Sequence, residues 1–425
     1  MKRSLSLVLV LTLLLSLSLG AIQPALGETK TEDPIVLRAA IVDYSVVGFF
    51  EETMKEFTKL HPNVTFEPID ILNKEYIEKV TVMLAGGDDV DLIYSKNMPQ
   101  YLTMITNGQV ADISSLVARD NVDLSIYNGA TDKLTVDGKL YGLPFRSDLW
   151  LLFYNKDLFD KQGVPYPTDN MTWEEYAEMC QKMSSGEGAE RVYGGYLQNW
   201  PASVQNISIQ NGKNTTVSTD YAFMRPAYEM ALSLQKNKYI MDYASITAGS
   251  LHYSGVFFNQ QAATVYQGTW FVGLLLKEAK AGNLKFNWGV VKAPHTSDGQ
   301  EGDAVGALFP MCINSKSKNQ EMAWEYLKFL TSKEGAAIIA KYGYLPAARD
   351  QSVIDAFVSQ EGFPAGCETA FDIKQLSLEV PAHPKAGAIG TVLNEENSLI
   401  MTESISLDQG VEDLNSRVNE ILNEN

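Results

Sequence analysis

The chain is poor in the residues that most enzyme chemistry uses. It has four histidines, at positions 61, 252, 295 and 383, scattered without metal-ligand spacing. Its three cysteines, Cys180, Cys312 and Cys367, form no Cys-x-x-Cys pair, and their odd number leaves at least one thiol unpaired. A Cys312 to Cys367 bridge in an oxidising compartment and three small buried side chains both fit that count. No Gly-x-Ser-x-Gly elbow, Gly-rich phosphate loop, internal repeat or low-complexity tract occurs. No metal, no cofactor and no catalytic residue is therefore expected. Basic residues are also scarce, 34 against 52 acidic ones for a net charge of −18, which disfavours nucleic acid and anionic membrane surfaces as partners.

What is present is length and a regular alternation of apolar segments. The 425 residues suffice for two cores. Lys2 and Arg3 precede an apolar run from Leu5 to Leu19, and Ala25-Leu26-Gly27 supplies small residues for cleavage, so residues 1–27 read as an export signal. The run is too short and too rich in Ser for a membrane anchor. Ile35 to Val42 reads as a strand, Phe49 to Leu60 as an amphipathic helix stopped by His61-Pro62-Asn63, and Val64 to Ile69 as a second strand. Tyr76 to Ala85 and Val90 to Tyr94 repeat the helix and strand.

Such βαβ units collect ligands at the carboxyl ends of their strands, which makes Asp43, Tyr44, Ser45, Ser95 and Asn97 candidate contacts. Turn formation and helix capping would use the same residue types.

The central stretch runs from Asp137 to Asp160. Asp137-Gly138 signals a hairpin, Leu143 and Pro144 can end a short strand, and Leu149 to Tyr154 is an apolar run suited to a strand buried on both faces. Arg146-Ser147-Asp148 is then a polar island between two buried strands, as a two-lobed protein closing over a polar ligand would need. Thr172 and Glu175 form a capping box for a helix whose buried face includes Trp173. Further expected elements are a helix from Ala222 to Gln235, a strand from Phe286 to Pro294, a flexible loop from His295 to Gly306, a strand from Leu308 to Asn314, a helix from Asn319 to Leu330, and mostly helix from Leu376 to Leu422.

Gly138 to Pro144, Tyr154 to Phe159, Thr172-Trp173-Glu174-Glu175, the segment Phe257 to Trp270 and Tyr344-Leu345-Pro346-Ala347 together resemble the extracellular solute-binding proteins of carbohydrate ABC transporters, the family that includes maltose-binding protein. The resemblance spans Ile35 to the C-terminus. It implies an α/β, two-lobed periplasmic-binding-protein (type II, Venus flytrap) fold with a ligand cleft between lobes. The expected first lobe is 28–145 plus 293–350, and the second 146–292 plus 351–425. It further implies a sugar or oligosaccharide ligand, a membrane permease as partner, a monomer, and a periplasmic or cell-surface location. Gly20-Ala21-Ile22 stands where many relatives carry a lipid-bearing Cys, so lipidation is not expected.

Sugar sites combine flat aromatic platforms with carboxylates and amides. Trp270 matches the family's second-lobe stacking Trp, and Asp148 the acidic residue at the first crossing, where a salt bridge to Arg146 is the alternative role. Gln198, Asn199 and Trp200 lie where relatives carry a contact loop, and Gly306 closes the Gly-rich loop; all four join the candidate set. Ser95 stands where the maltose-binding pattern has Trp, and Ala388 to Leu393 holds no aromatic, so maltose is not the expected ligand. A secreted glycosidase, which needs only two carboxylates, and a sensory solute-binding subunit are the alternatives.

Overall fold

The computed structural model describes residues 33–424, so the expected export signal lies outside the described residues. β1 (Ile35–Val42) pairs in parallel with β2 (Val64–Ile71) along its whole length, and the helix Phe49–Leu60 crosses between them. That helix buries Phe49, Phe50, Met54 and Phe57, the stripe that its apolar spacing dictates. β3 (Leu92–Tyr94) lies on the other side of β1, also parallel. The hairpin β4 (Thr135–Val136) and β5 (Lys139–Leu140) turns at Asp137 and Gly138, whose φ values of 50° and 75° suit Asp-Gly.

β6 differs from expectation. Instead of two short strands around a polar island, Gly142–Asn155 is one continuous 14-residue strand. Its first half pairs with β9 (Asp303–Ile313), with an irregularity between Pro144 and Arg146; its second half pairs with β7 (Thr264–Gly268) and β8 (Trp288–Lys292). Pro144 leaves the strand unbroken because the register shifts there, as a bulge allows. Side chains alternate beyond Asp148: Trp150, Leu152 and Tyr154 enter one core, Leu149, Leu151 and Phe153 another. This accounts for an apolar run without gaps.

The eight-stranded sheet has the order β2-β1-β3-β9-β6-β7, with β8 also on β6, and β10 (Gln375–Leu378) on β9. β6 and β9 therefore both run through from one lobe to the other. The chain passes a third time beside them, where Ser147 donates its amide to Leu345 and Ala347 donates to Phe145. One core gathers Leu37, Phe50, Tyr94, Leu143, Leu308, Trp324 and Val353; the other two lie on the faces of the β6-β7-β8 sheet.

Several expectations need correction. The return to the first lobe, expected at residue 293, comes later: β8 pairs with β6, and Ala293, Ala304 and Val305 pack with the second-lobe cores, so the chain crosses within β9. The expected loop to Gly306 ends at Asp303, where β9 begins. Leu376 to Leu422 is mostly helix, as expected, in the helices Ala386–Met401 and Leu407–Asn423; β10 and a segment with Pro381 and Pro384 precede them. The helices Ser114–Arg119 and Ala130–Leu134 follow Ile113. Cys312 and Cys367 are unpaired, since they are buried in different cores. The capping box at Thr172 and Glu175 is present, and Trp173 is core, with its indole bonded to Gln210 at 2.8 Å.

Candidate functional site

The first-lobe candidates sit at strand ends, but most of their polar atoms are already committed. Asp43 follows β1 in a left-handed turn (φ 47°) and accepts the Asn73 amide at 2.9 Å. Tyr44 beside it is half-buried, and burial with Glu51 and Asp70 nearby raises its pKa. Ser45 is exposed and donates its amide to Asp70. Ser95 is fully buried, its hydroxyl on the Asn97 carbonyl at 3.2 Å, and Asn97 caps the helix Met98–Thr106 by accepting from Gln100 at 2.9 Å. Ser95 is thus withdrawn into the turn, while Asn97 helps line a cavity of about 420 Å³ with Ile77, Leu84, Thr103, Val380 and Gly390. That cavity joins first-lobe helices to the segment after β10. A separate cavity of about 740 Å³, lined by Asp123, Arg349, Asp350 and Phe371 among others, includes none of the candidate residues.

At the crossing, Asp148 is 1% exposed and its carboxylate is occupied. Arg146 meets it at 2.5 Å and 3.2 Å, and the Thr269 hydroxyl donates to it at 3.0 Å. The alternative role for Asp148, a salt bridge to Arg146, is therefore formed, and no lone pair is left facing open solvent. Arg146 lies over the rings of Phe309 and Tyr344, 4.8 Å and 4.6 Å from their centroids. Burial disfavours its charge, but Asp148 and Tyr94 outweigh this and hold its pKa above the ordinary value. The Arg349 guanidinium reaches the Ser147 hydroxyl at 3.3 Å, and burial pushes its pKa down to about 10 against the pull of Asp148.

The second-lobe candidates form an aromatic wall. β7 ends at Gly268, Thr269 turns the chain, and Trp270 opens the helix Trp270–Lys280. The indole of Trp270 folds back over Gly268, where a Cβ would stand 2.1 Å from the ring, so the Gly is required by the close approach. Trp150, Trp200 and Trp270 touch one another: centroids lie 5.7 Å apart for Trp150 and Trp270, and 6.5 Å for each of them with Trp200. Trp150 is 1% exposed and backs the wall; Trp200, 36% exposed, and the half-buried Trp270 face outward. Tyr253 packs edge-on against Trp200 at 5.9 Å.

Gln198 is buried and spends its amide locally, accepting from the Tyr253 amide at 2.9 Å and donating to Leu251 and Asn199. Asn199 donates to Thr247. These two amides fix the loop that presents Trp200. Gly306 is also structural: a Cβ there would lie 1.9 Å from the Asp148 carbonyl, so its absence lets β9 pair closely with β6.

Sequence reasoning missed Glu379, the residue after β10. Its amide donates to Gly306 at 2.9 Å, and its Oε2 accepts the Trp150 indole proton at 2.7 Å. Burial raises its pKa, partly offset by the Trp150 indole donor and by the nearby Asn206 side chain. The prolines at 381 and 384 were the available signal that this segment leaves the helix. Among the described residues no group of three or more His, Cys, Asp and Glu is arranged to hold a metal ion.

In one lobe two outward tryptophans stand against the buried Trp150, and Thr269, beside Trp270, bonds the ion-paired Asp148 at the crossing. Residues 45–337 match the family model for bacterial extracellular solute-binding proteins. The chain belongs to that family. A sugar transporter from Rhizobium etli, solved in an open conformation, is 37% identical with a TM-score of 0.85, covering 91% of this chain and 99% of that one. A Brucella abortus binding protein is 26% identical over 341 residues, 77% of this chain and 80% of its own. The lactose-binding protein of Rhizobium radiobacter is 25% identical over 237 residues, 53% of this chain and 54% of its own. The two-lobed type II fold is thereby established for the solute-binding protein, and its relatives are binding proteins. No helix among the described residues is long and apolar enough to cross a membrane.

Proposed function

We propose that this solute-binding protein captures a sugar or short oligosaccharide between its lobes and hands it to an ABC transporter permease. The observation that carries the reading is the wall of Trp150, Trp200 and Trp270, two of whose rings face outward to take the apolar C–H face of a pyranose. The relatives named as a sugar transporter and a lactose-binding protein support the class of ligand. Lobe boundaries are proposed at residues 33–146 with 308–353 for the first lobe, and 147–307 with 354–424 for the second. Trp270 and Trp200 are proposed as platforms, and Asp43, Tyr44 and Asn97 as contacts from the opposite lobe. Asp148, Ser95, Gln198, Asn199 and Gly306 are proposed to shape the site without touching ligand. Export as an unlipidated monomer completes the proposal.

Turnover is not part of it. Asp148, the carboxylate at the crossing, is engaged by Arg146 and by the Thr269 hydroxyl. Melting curves with lactose, other neutral oligosaccharides and monosaccharides test the reading. A sugar at about a hundred times its Kd should stabilise the fold by about 2.7 kcal/mol. Chromatography of the same samples should recover the sugar intact. A panel without any shift, or with a cleaved product, would overturn the proposal.

A further inference from the structure

The polar groups behind the tryptophan wall are unusually placed for structural roles. Glu379 is drawn into the second lobe by its backbone bond to Gly306 and by the Trp150 indole, which takes only Oε2. Asn206, on the helix Ala202–Ile209, is 1% exposed, and its Nδ2 has no hydrogen-bond partner. That amide lies close enough to favour the ionised form of Glu379, yet it lacks the geometry of a hydrogen bond. An unpartnered buried donor and a desolvated carboxylate side by side both destabilise an empty fold. Their placement beside the aromatic wall gives that penalty a use.

We infer that Glu379 and Asn206 form an acceptor and donor pair that grips adjacent hydroxyls of the sugar stacked on Trp270, and so set which hydroxyl pattern the protein accepts. The inference rests on the sugar reading. Glu379 Oε1 accepts a proton from one hydroxyl, and Asn206 Nδ2 donates to the oxygen of its neighbour. A sugar lacking either hydroxyl leaves a buried polar group unsatisfied, which discriminates more strongly than any change of apolar contact.

The test uses the full-length exported protein and whichever sugar of the lactose and oligosaccharide panel gives the largest melting shift. Glu379→Gln keeps the acceptor for Trp150 but removes the charge; Asn206→Leu keeps the branched outline of the side chain but removes the orphan donor. Each variant should bind that sugar about tenfold to a hundredfold more weakly by calorimetry, while the ligand-free melting temperature stays level or rises. A residue serving only the fold would show the opposite pattern. Among monodeoxy forms of the sugar, wild type should discriminate against one that Glu379→Gln does not.

The acid side has a defined sign. Burial raises the Glu379 pKa above its unfolded value, so stability from its protonated form is lost as pH rises through the folded pKa. Asp148 on β6, paired with Arg146, and Tyr266 on β7 are the charged and titratable groups facing it, and neither supplies a counter-charge. The stabilising effect of Glu379→Gln should therefore shrink as pH falls toward the ordinary glutamate range. Wild-type affinity in both variants would overturn the inference and leave the sugar reading standing. A panel in which no sugar shifts wild-type melting would overturn both.

Discussion

Asp148→Asn should lower the melting temperature of the ligand-free protein by several degrees and leave the affinity of the folded fraction within a few-fold of wild type. The carboxylate is 1% exposed, and Arg146 and Thr269 donate to it. Removing its charge leaves the Arg146 guanidinium, with a side chain only 13% exposed, without its counter-ion, and takes away the one acidic group that offsets the buried Arg349. Breaking one half of a buried pair costs about 3 kcal/mol, most of it the uncompensated charge that remains. A direct ligand contact would behave differently: affinity would fall by tenfold or more, and melting would change little. Melting curves and calorimetric titration of the same preparation separate these outcomes.

Trp270→Ala should have the largest effect on binding. The ring stands at the outer edge of the wall, supported from behind by Trp150 at 5.7 Å and from below by Gly268. A platform held this rigidly loses little entropy when a sugar stacks on it. Its removal is expected to weaken binding by about 1 to 3 kcal/mol, or roughly tenfold to a hundredfold. Some loss of melting temperature will accompany this, because Trp270 also packs against two cores. The deciding quantity is affinity per folded molecule. An unchanged value with depressed melting would assign Trp270 to packing alone.

How much was legible in the sequence depended on the range of the interactions. The hairpin at Asp137-Gly138, the capping box at Thr172 and Glu175, and the buried face carrying Trp173 are set within a few residues, and each was readable directly. The apolar run from Leu149 to Tyr154 correctly signalled a strand covered on both faces. What the strand pairs with was hidden, because β9, which pairs with β6 through Arg146 and Asp148, lies more than a hundred residues away. The same distance hid β8, whose apolar residues would suit either lobe's sheet.

Site residues divide in the same way. Trp270 was visible from the Gly-Thr-Trp pattern at a strand end, whereas the roles of Asp148 and Gln198 depend on partners elsewhere in the chain: Arg146 and Thr269 for one, Tyr253 and Leu251 for the other. Glu379 had no local pattern beyond the prolines that follow it, since its meaning comes from Trp150, some 229 residues earlier.

The central claim is capture between two lobes joined by β6, β9 and the segment at Leu345. Three extended connections without a single shared core allow a hinge, and periplasmic binding proteins as a class close in this way. Ligand contacts drawn from both lobes would favour the closed form by their difference in affinity for the two states. Small-angle scattering of the protein with and without a saturating sugar measures this directly. The account predicts a smaller radius of gyration when the sugar is bound; an unchanged radius at demonstrated saturation would contradict it.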